Sequence, residues 1–224
     1  MINKGTKKTA STMSMNKLIL RKCLGAFAFC LLLLTATTVR TYAQSSLELG
    51  LKAGGDYMKI GGRSFDGKHY PGFQAGVYGQ LNFTSKWSLQ PELNFSQTIG
   101  KTGADFNQIY GGVSFQQATL DYVDLPILIS FKPVPELSLL LGPQVGYAFS
   151  QTTGLLPLEG NVDAFKKADV SIVFGGQLNL GKVMFGIRYQ AGLNNISYRS
   201  TDTWRQYGAQ FYIGYQLKDM KLKK

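Results

Sequence analysis

The sequence is poor in the side chains that most protein chemistry needs. Its 224 residues include 2 cysteines and 1 histidine, and only 17% are charged. Both cysteines, Cys23 and Cys30, fall in the first 43 residues, so the remainder has no thiol or disulfide chemistry. One histidine without cysteine gives no cluster for a transition metal. The expectation is therefore no catalytic, cofactor-binding or metal-ligating residues, and no enzyme. Helical periodicity is absent beyond residue 43, and no apolar run there approaches the ~20 residues of a membrane helix. Long disorder is excluded from the opposite side, because 44% hydrophobic and 12% aromatic content is too apolar for a chain that stays unfolded.

A formal charge of +11 suggests nucleic acid until its location is traced. Lys4, Lys7, Lys8, Lys17, Arg21 and Lys22 precede an apolar run from Cys23 to Val39, and Thr41-Tyr42-Ala43 puts small residues at −3 and −1 before Gln44. That order is a secretory signal, expected at residues 1–43 and cleaved after Ala43. Phe29 before Cys30 argues against a lipoprotein signal, and the long basic region leaves Met1, Met13 and Met15 as possible starts. With Arg40, the segment removes seven basic residues and no acid, leaving 17 Lys+Arg against 13 Asp+Glu, a net +4. The last seven residues, 218–224, carry +3 of that as a basic tail. Nucleic acid drops out as a partner.

The chain from 44 to 217 alternates with period two. In Lys86–Thr98 one face carries Trp87, Leu89, Pro91, Leu93 and Phe95, and the other Ser88, Gln90, Glu92, Asn94 and Ser96. The same pattern fills 47–57, 72–83, 119–131, 136–149, 169–180, 182–194 and 204–217. Alternation of this kind marks strands, eight in all. Short connections at Thr84-Ser85, Lys132–Pro135 and Gly181 alternate with long ones near 58–71, 99–118, 150–168 and 195–203. All long loops thus fall at one end, as in an eight-stranded antiparallel up-and-down barrel with tight periplasmic turns and long extracellular loops.

Periodicity alone does not say which face is inside. A soluble barrel turns its apolar face inward; a transmembrane β-barrel turns it to lipid. Here the polar face is Gly, Ser, Gln and Asn with isolated charges, not the Lys- and Glu-rich surface expected against water. Aromatics crowd the strand ends: Phe83, Trp87, Phe131 and Tyr215 on the turn side, and Tyr57, Phe73, Phe95, Phe149, Trp204 and Tyr207 on the loop side. They are predicted to form two interfacial girdles. Lys52, Glu92, Asp124 and Arg188 are predicted to form one mid-lumen charge belt, with both cations neutralising both acids, since a charge in a low-dielectric interior must be paired. An eight-stranded interior is just wide enough for side chains to fill, so a structural plug is expected; a gate or proton relay is the alternative. Pro91, Pro126 and Pro143 fall inside strands, where bulges or missing ladder bonds are expected.

Four stretches, Pro91-Glu92-Leu93-Asn94-Phe95-Ser96-Gln97, Tyr122-Val123-Asp124-Leu125-Pro126-Ile127-Leu128, Leu141-Gly142-Pro143-Gln144-Val145-Gly146-Tyr147 and Arg188-Tyr189-Gln190-Ala191-Gly192-Leu193, resemble the PorT-type outer-membrane β-barrel family of Bacteroidota. The resemblance runs through the whole mature chain in order. It implies an integral barrel of a Gram-negative outer membrane, with the strand prolines as family features and Glu92, Asp124 and Arg188 at motif positions. It also implies a link to secretion or assembly of surface proteins, which fold alone does not transfer. The basic segment after the last strand departs from barrels that end on a terminal aromatic, so recognition by the insertion machinery would fall to Phe211–Leu217.

Other motifs are near misses. Gly176 and Gly181-Lys182 are spaced as in a phosphate loop, but Val183 replaces the Ser/Thr and a strand follows. His69 lies near Ser64 and Asp66, and a lone loop histidine there is expected to be solvated rather than catalytic. The chain is thus expected to be a monomeric, non-enzymatic scaffold or interaction protein with a plugged lumen. Its expected partners are outer-membrane lipid and periplasmic or surface proteins, and the alternative is a small-solute porin or gated channel.

Overall fold

The computed structural model describes residues 46–103, 117–153, 165–197 and 202–221; the predicted signal and residues 222–224 lie outside them. Eight strands follow in order: β1 (Ser46–Gly61), β2 (Tyr70–Asn82), β3 (Trp87–Lys101), β4 (Gln117–Val134), β5 (Leu137–Thr153), β6 (Ala168–Leu180), β7 (Val183–Gly192) and β8 (Arg205–Lys221). Each pairs antiparallel with its sequence neighbours, and β8 closes on β1, giving an all-β barrel without edges. Burial follows the alternation seen in the sequence: Leu49, Leu51, Val77, Leu93, Ile129, Leu141, Ile187 and Ile213 point outward and are exposed. Gln74, Gln90, Glu92, Gln144, Arg188 and Gln210 point inward and are buried. The barrel is therefore apolar outside and predominantly polar along its middle inside.

Several strands run beyond the segments marked by alternation, most on the long-loop side, where β1, β3 and β5 extend to Gly61, Lys101 and Thr153. β8 does not stop at Leu217; Lys218–Lys221 continue the strand and pair with Leu49–Ser46, after a register shift at Leu49/Gly50. The reason is that β1 starts at Ser46 and offers backbone groups that need partners. β4 and β5 run close to their turn, leaving only Pro135 and Glu136 between them.

The strand prolines have a common solution. The β2–β3 ladder skips Gly79–Gln80 against Gln90–Pro91. The β3–β4 ladder skips Glu92–Leu93 against Leu125–Pro126, and the β4–β5 ladder skips Ile127–Leu128 against Gly142–Pro143. Each proline keeps its partner on the following strand: Ile127, Gln144 and Ile172 respectively. The missing N–H therefore always faces the preceding strand, and three successive ladders are interrupted.

Buried side chains inside the barrel cluster at its two ends. Near the turn end Tyr78, Met184 and Tyr212 pack together. Room for two of these rings comes from glycine: a Cβ at Gly186 would collide with the Tyr212 ring and one at Gly50 with the Tyr78 ring. At the long-loop end Ile60, Phe65, Leu120, Tyr122, Phe165, Ile196 and Trp204 form an apolar cluster.

Candidate functional site

The middle of the lumen is organised by one carboxylate. Glu92, on β3, accepts from Lys52 Nζ of β1 at 2.6 Å and from Arg188 Nη1 of β7 at 2.9 Å. Gln90 Nε2 donates to Oε1 at 2.8 Å and Asn94 Nδ2 to Oε2 at 3.0 Å. Inward alternation along β3 places Gln90, Glu92 and Asn94 in one column, so neighbours two residues away supply the neutral donors. Both cations lie against the Tyr212 ring, with Lys52 Nζ 4.6 Å and Arg188 Cζ 4.4 Å from its centroid. Its hydroxyl donates to Gln177 Oε1 at 2.9 Å. Arg188 reaches Glu92 from β7, on the wall opposite β3.

Asp124 is not part of this triad. Its register partner on β3 is Asn94, two residues beyond Glu92, and its carboxylate accepts from Ser96 Oγ. The two cations therefore do not divide between Glu92 and Asp124; both bond to Glu92, which lies between them. Two further inward acids belong to the lumen and were not in the sequence reading. Asp56 accepts from Gln74 Nε2 at 2.7 Å, and Asp169 faces Asp124 across Gly146, which pairs with both. Asp56 was legible as the next inward position after Lys52 and Gly54; Asp169 sits at the start of β6, where alternation gives little warning. Arg188 Nε and Nη2, Asn94 Oδ1 and Asp169 Oδ1 have no protein partner among the described residues.

The aromatic residues largely face outward. Phe83, Trp87, Phe149 and Tyr215 are exposed; Phe95, Phe131 and Tyr207 are half-buried against neighbours. Trp87 lies tilted against Phe131 at 4.8 Å, and Phe95 against Phe73 and Phe149 at 5.4 and 5.7 Å between ring centroids. Trp204 is a correction. It is fully buried, 5.0 Å from both Phe65 and Phe165. It precedes β8 and turns inward because its indole Nε1 donates to Asp202 Oδ2 at 3.0 Å.

Asp202 ties the cap together. Oδ2 also accepts from the Ser64 amide at 3.0 Å and Ser64 Oγ at 2.7 Å, and Oδ1 accepts from the Thr203 amide at 2.8 Å. Burial alone would raise its pKa, but the bonds from Ser64, Trp204 and Thr203 hold it below the usual carboxylate value. These contacts account for the residues near His69: Ser64 is bonded to Asp202, Asp66 accepts from the Tyr70 hydroxyl, and the His69 ring stacks on Tyr57 at 5.3 Å. Gly181 and Lys182 form the β6–β7 turn, as in a hairpin. At the turn end the lumen opens into a polar vestibule of about 230 Å³ bordered by Glu48, Gln80, Lys132, Asn179 and Asp219.

The family model described as outer membrane protein beta-barrel domain matches residues 42–198. Among solved structures, the attachment invasion locus protein Ail of Yersinia pestis is 15% identical over 78% of this chain and 99% of its own, with a TM-score of 0.45. Neisserial surface protein A is 12% identical over 78% and 98%, with a TM-score of 0.45. OprG of Pseudomonas aeruginosa is 13% identical over 78% and 96%, with a TM-score of 0.35. No curated protein matches the chain.

Proposed function

The chain belongs to the outer membrane protein beta-barrel domain family and is an integral barrel of the Gram-negative outer membrane; from that premise we propose that it is a closed, non-enzymatic scaffold whose long loops engage other proteins. The observation that carries this reading is the buried Lys52–Glu92–Arg188 triad with Tyr212. Side chains fill an eight-stranded lumen, and here they do so with paired charge in the middle and an aromatic cap at the loop end. The protein acts as a monomer surrounded by lipid, with periplasmic or surface proteins at its ends. The resemblance to PorT-type barrels supports a role in secretion or assembly of surface proteins.

The experiment is single-channel recording from the folded barrel in a planar bilayer, with the boiled-versus-unboiled gel shift as the control for folding. The closed scaffold shows no conductance steps. Steps that change in Arg188→Ala make the protein a small-solute channel instead. The second reading has its own support, since Arg188 Nε and Nη2 and Asn94 Oδ1, without a protein partner among the described residues, are polar groups that lumen water could satisfy.

A further inference from the structure

The outer wall of the barrel has a notch near its turn end. Where the β2–β3 ladder skips Gly79–Gln80 against Gln90–Pro91, an apolar groove of about 460 Å³ opens on the lipid side. Leu49, Val77, Leu93 and Leu217 form its walls, and Gly79 and Pro91 lie in its floor. Gly79 keeps it open. A Cβ there would come no closer than 3.5 Å to any neighbour, the nearest being Leu49, which is ordinary contact. Neither crowding nor a left-handed backbone requires glycine at this position, and glycine weakens a strand interior. Its effect is to deepen the groove between Leu49 and Pro91.

An independent feature places a cation at one end of that groove. The register shift between β1 and β8 pairs Gly50 with Gln216 but Leu49 with Lys218. The extra residue breaks the alternation, so Leu217 and Lys218 are both exposed on the outer face that Leu49 occupies. Without the shift, Lys218 would point into the lumen. Leu217 walls the groove, and Lys218 stands one rung closer to the turns. Asp219 pairs with Glu48 and borders the vestibule, on the other side of the wall from Lys218. Lys86, exposed in the β2–β3 turn, adds positive charge at the same rim. Tyr215, Phe83 and Trp87, all outward and exposed, mark the membrane interface at this end.

We infer that the groove and Lys218 together bind one anionic glycerophospholipid, with an acyl chain along Gly79 and Pro91 and the phosphate at the Lys218 ammonium. The apolar walls select hydrocarbon. The cation selects a net negative headgroup over a zwitterionic one, whose own ammonium competes for the phosphate.

Native mass spectrometry of the full chain, purified from outer membranes into detergent, tests this with dioleoylphosphatidylglycerol and dioleoylphosphatidylcholine at equal concentration. The wild-type barrel retains one phosphatidylglycerol in preference to phosphatidylcholine. Lys218→Gln lowers phosphatidylglycerol occupancy about fivefold, the contribution of one lysine near an anionic surface, and leaves phosphatidylcholine unchanged. Gly79→Leu fills the groove and removes the retained lipid while the gel shift still shows a folded barrel. If Gly79→Leu does not fold, Leu217→Trp narrows the groove from β8 and gives the same loss. Equal, unselective retention of both lipids, or phosphatidylglycerol occupancy unchanged in the groove-filling variant, overturns the inference.

Discussion

Replacing Glu92 by glutamine tests most directly whether the lumen is closed. The substitution keeps shape and removes charge, leaving Lys52 and Arg188 facing a neutral amide. The three side chains are 0–1% exposed, and the contacts are 2.6 and 2.9 Å. At about 4 Å a unit charge pair is worth about 1 kcal/mol in water and about 4 kcal/mol at the effective dielectric near 20 that suits protein sites. Much of that gain is offset by desolvation, but removing one partner leaves the desolvation of the others uncompensated, at about 3–5 kcal/mol. Glu92→Gln is expected to cost that much, whereas Arg188→Ala, which keeps the Lys52–Glu92 pair, costs about 2 kcal/mol. Exchanging the set together, Lys52→Met with Glu92→Leu and Arg188→Met, costs about nothing, because apolar replacement of a whole buried ion cluster is often neutral or stabilising, by up to about 4 kcal/mol. Urea unfolding in lipid vesicles, followed by tryptophan emission and the gel shift, gives the order. A loss below about 1 kcal/mol for Glu92→Gln, the value of an exposed pair, would mean that water and salt screen the triad. The lumen would then be open, and the closed scaffold would be refuted.

Gly186→Val drives a side chain into the Tyr212 ring and is expected to cost about 1–3 kcal/mol by overpacking; an unchanged heat-induced gel shift would contradict the packing. Asp202 has a folded pKa below its ordinary value, so its stabilisation of the cap is full above the ordinary carboxylate range and is lost as pH falls through the folded value. The protection factors of the Ser64 and Ile196 amides, corrected for intrinsic exchange, should therefore be flat above the ordinary carboxylate range and fall as pH drops through the folded value, with Asp202→Asn removing that dependence; the same acid-induced loosening in the variant would assign it to another group. Single-tryptophan proteins should separate the two indoles. Brominated lipid is expected to quench Trp87 strongly and Trp204 hardly at all, since the first is 49% and the second 0% exposed, and comparable quenching would restore Trp204 to the girdle.

Most of the barrel was legible because one physical rule repeats along the chain. Two-residue alternation requires neither a partner nor a ligand to be seen, and Leu89, Leu93 and Phe95 mark the lipid face of β3 as clearly in the sequence as in the register. The alternation of short and long connections then gave closure and polarity. The belt brings Lys52, Glu92 and Arg188 together as the sequence implies, but how its charges divide was not legible. Strand position put Glu92 and Asp124 at similar heights, but the stagger between neighbouring strands sets Asp124 opposite Asn94, and only Glu92 meets the cations. Trp204 failed for a local reason: it lies just outside β8, where alternation no longer determines the face, and an acid two residues earlier turns its indole inward. Lys218 falls in the basic tail on alternation alone, because a one-residue register shift is invisible to a period-two pattern.

The layered interior also constrains any channel reading. A conducting path has to pass Tyr78, Met184 and Tyr212, then the Glu92 triad, then the Trp204 cluster. These layers share few residues, so their opening costs come close to adding. Parting the triad alone costs about 3–5 kcal/mol, which at 1.4 kcal/mol per tenfold leaves roughly one molecule in a thousand open. Displacing either aromatic layer lowers that fraction further. Conductance, if it occurred, would thus be rare and brief unless a partner bound the open state more tightly by at least the same free energy. The groups able to bind such a partner are at the two ends of the barrel: the loops around the Asp202 cap and the vestibule by Lys132. Scaffold and gate therefore predict the same place for recognition, and differ only in whether recognition reaches the triad.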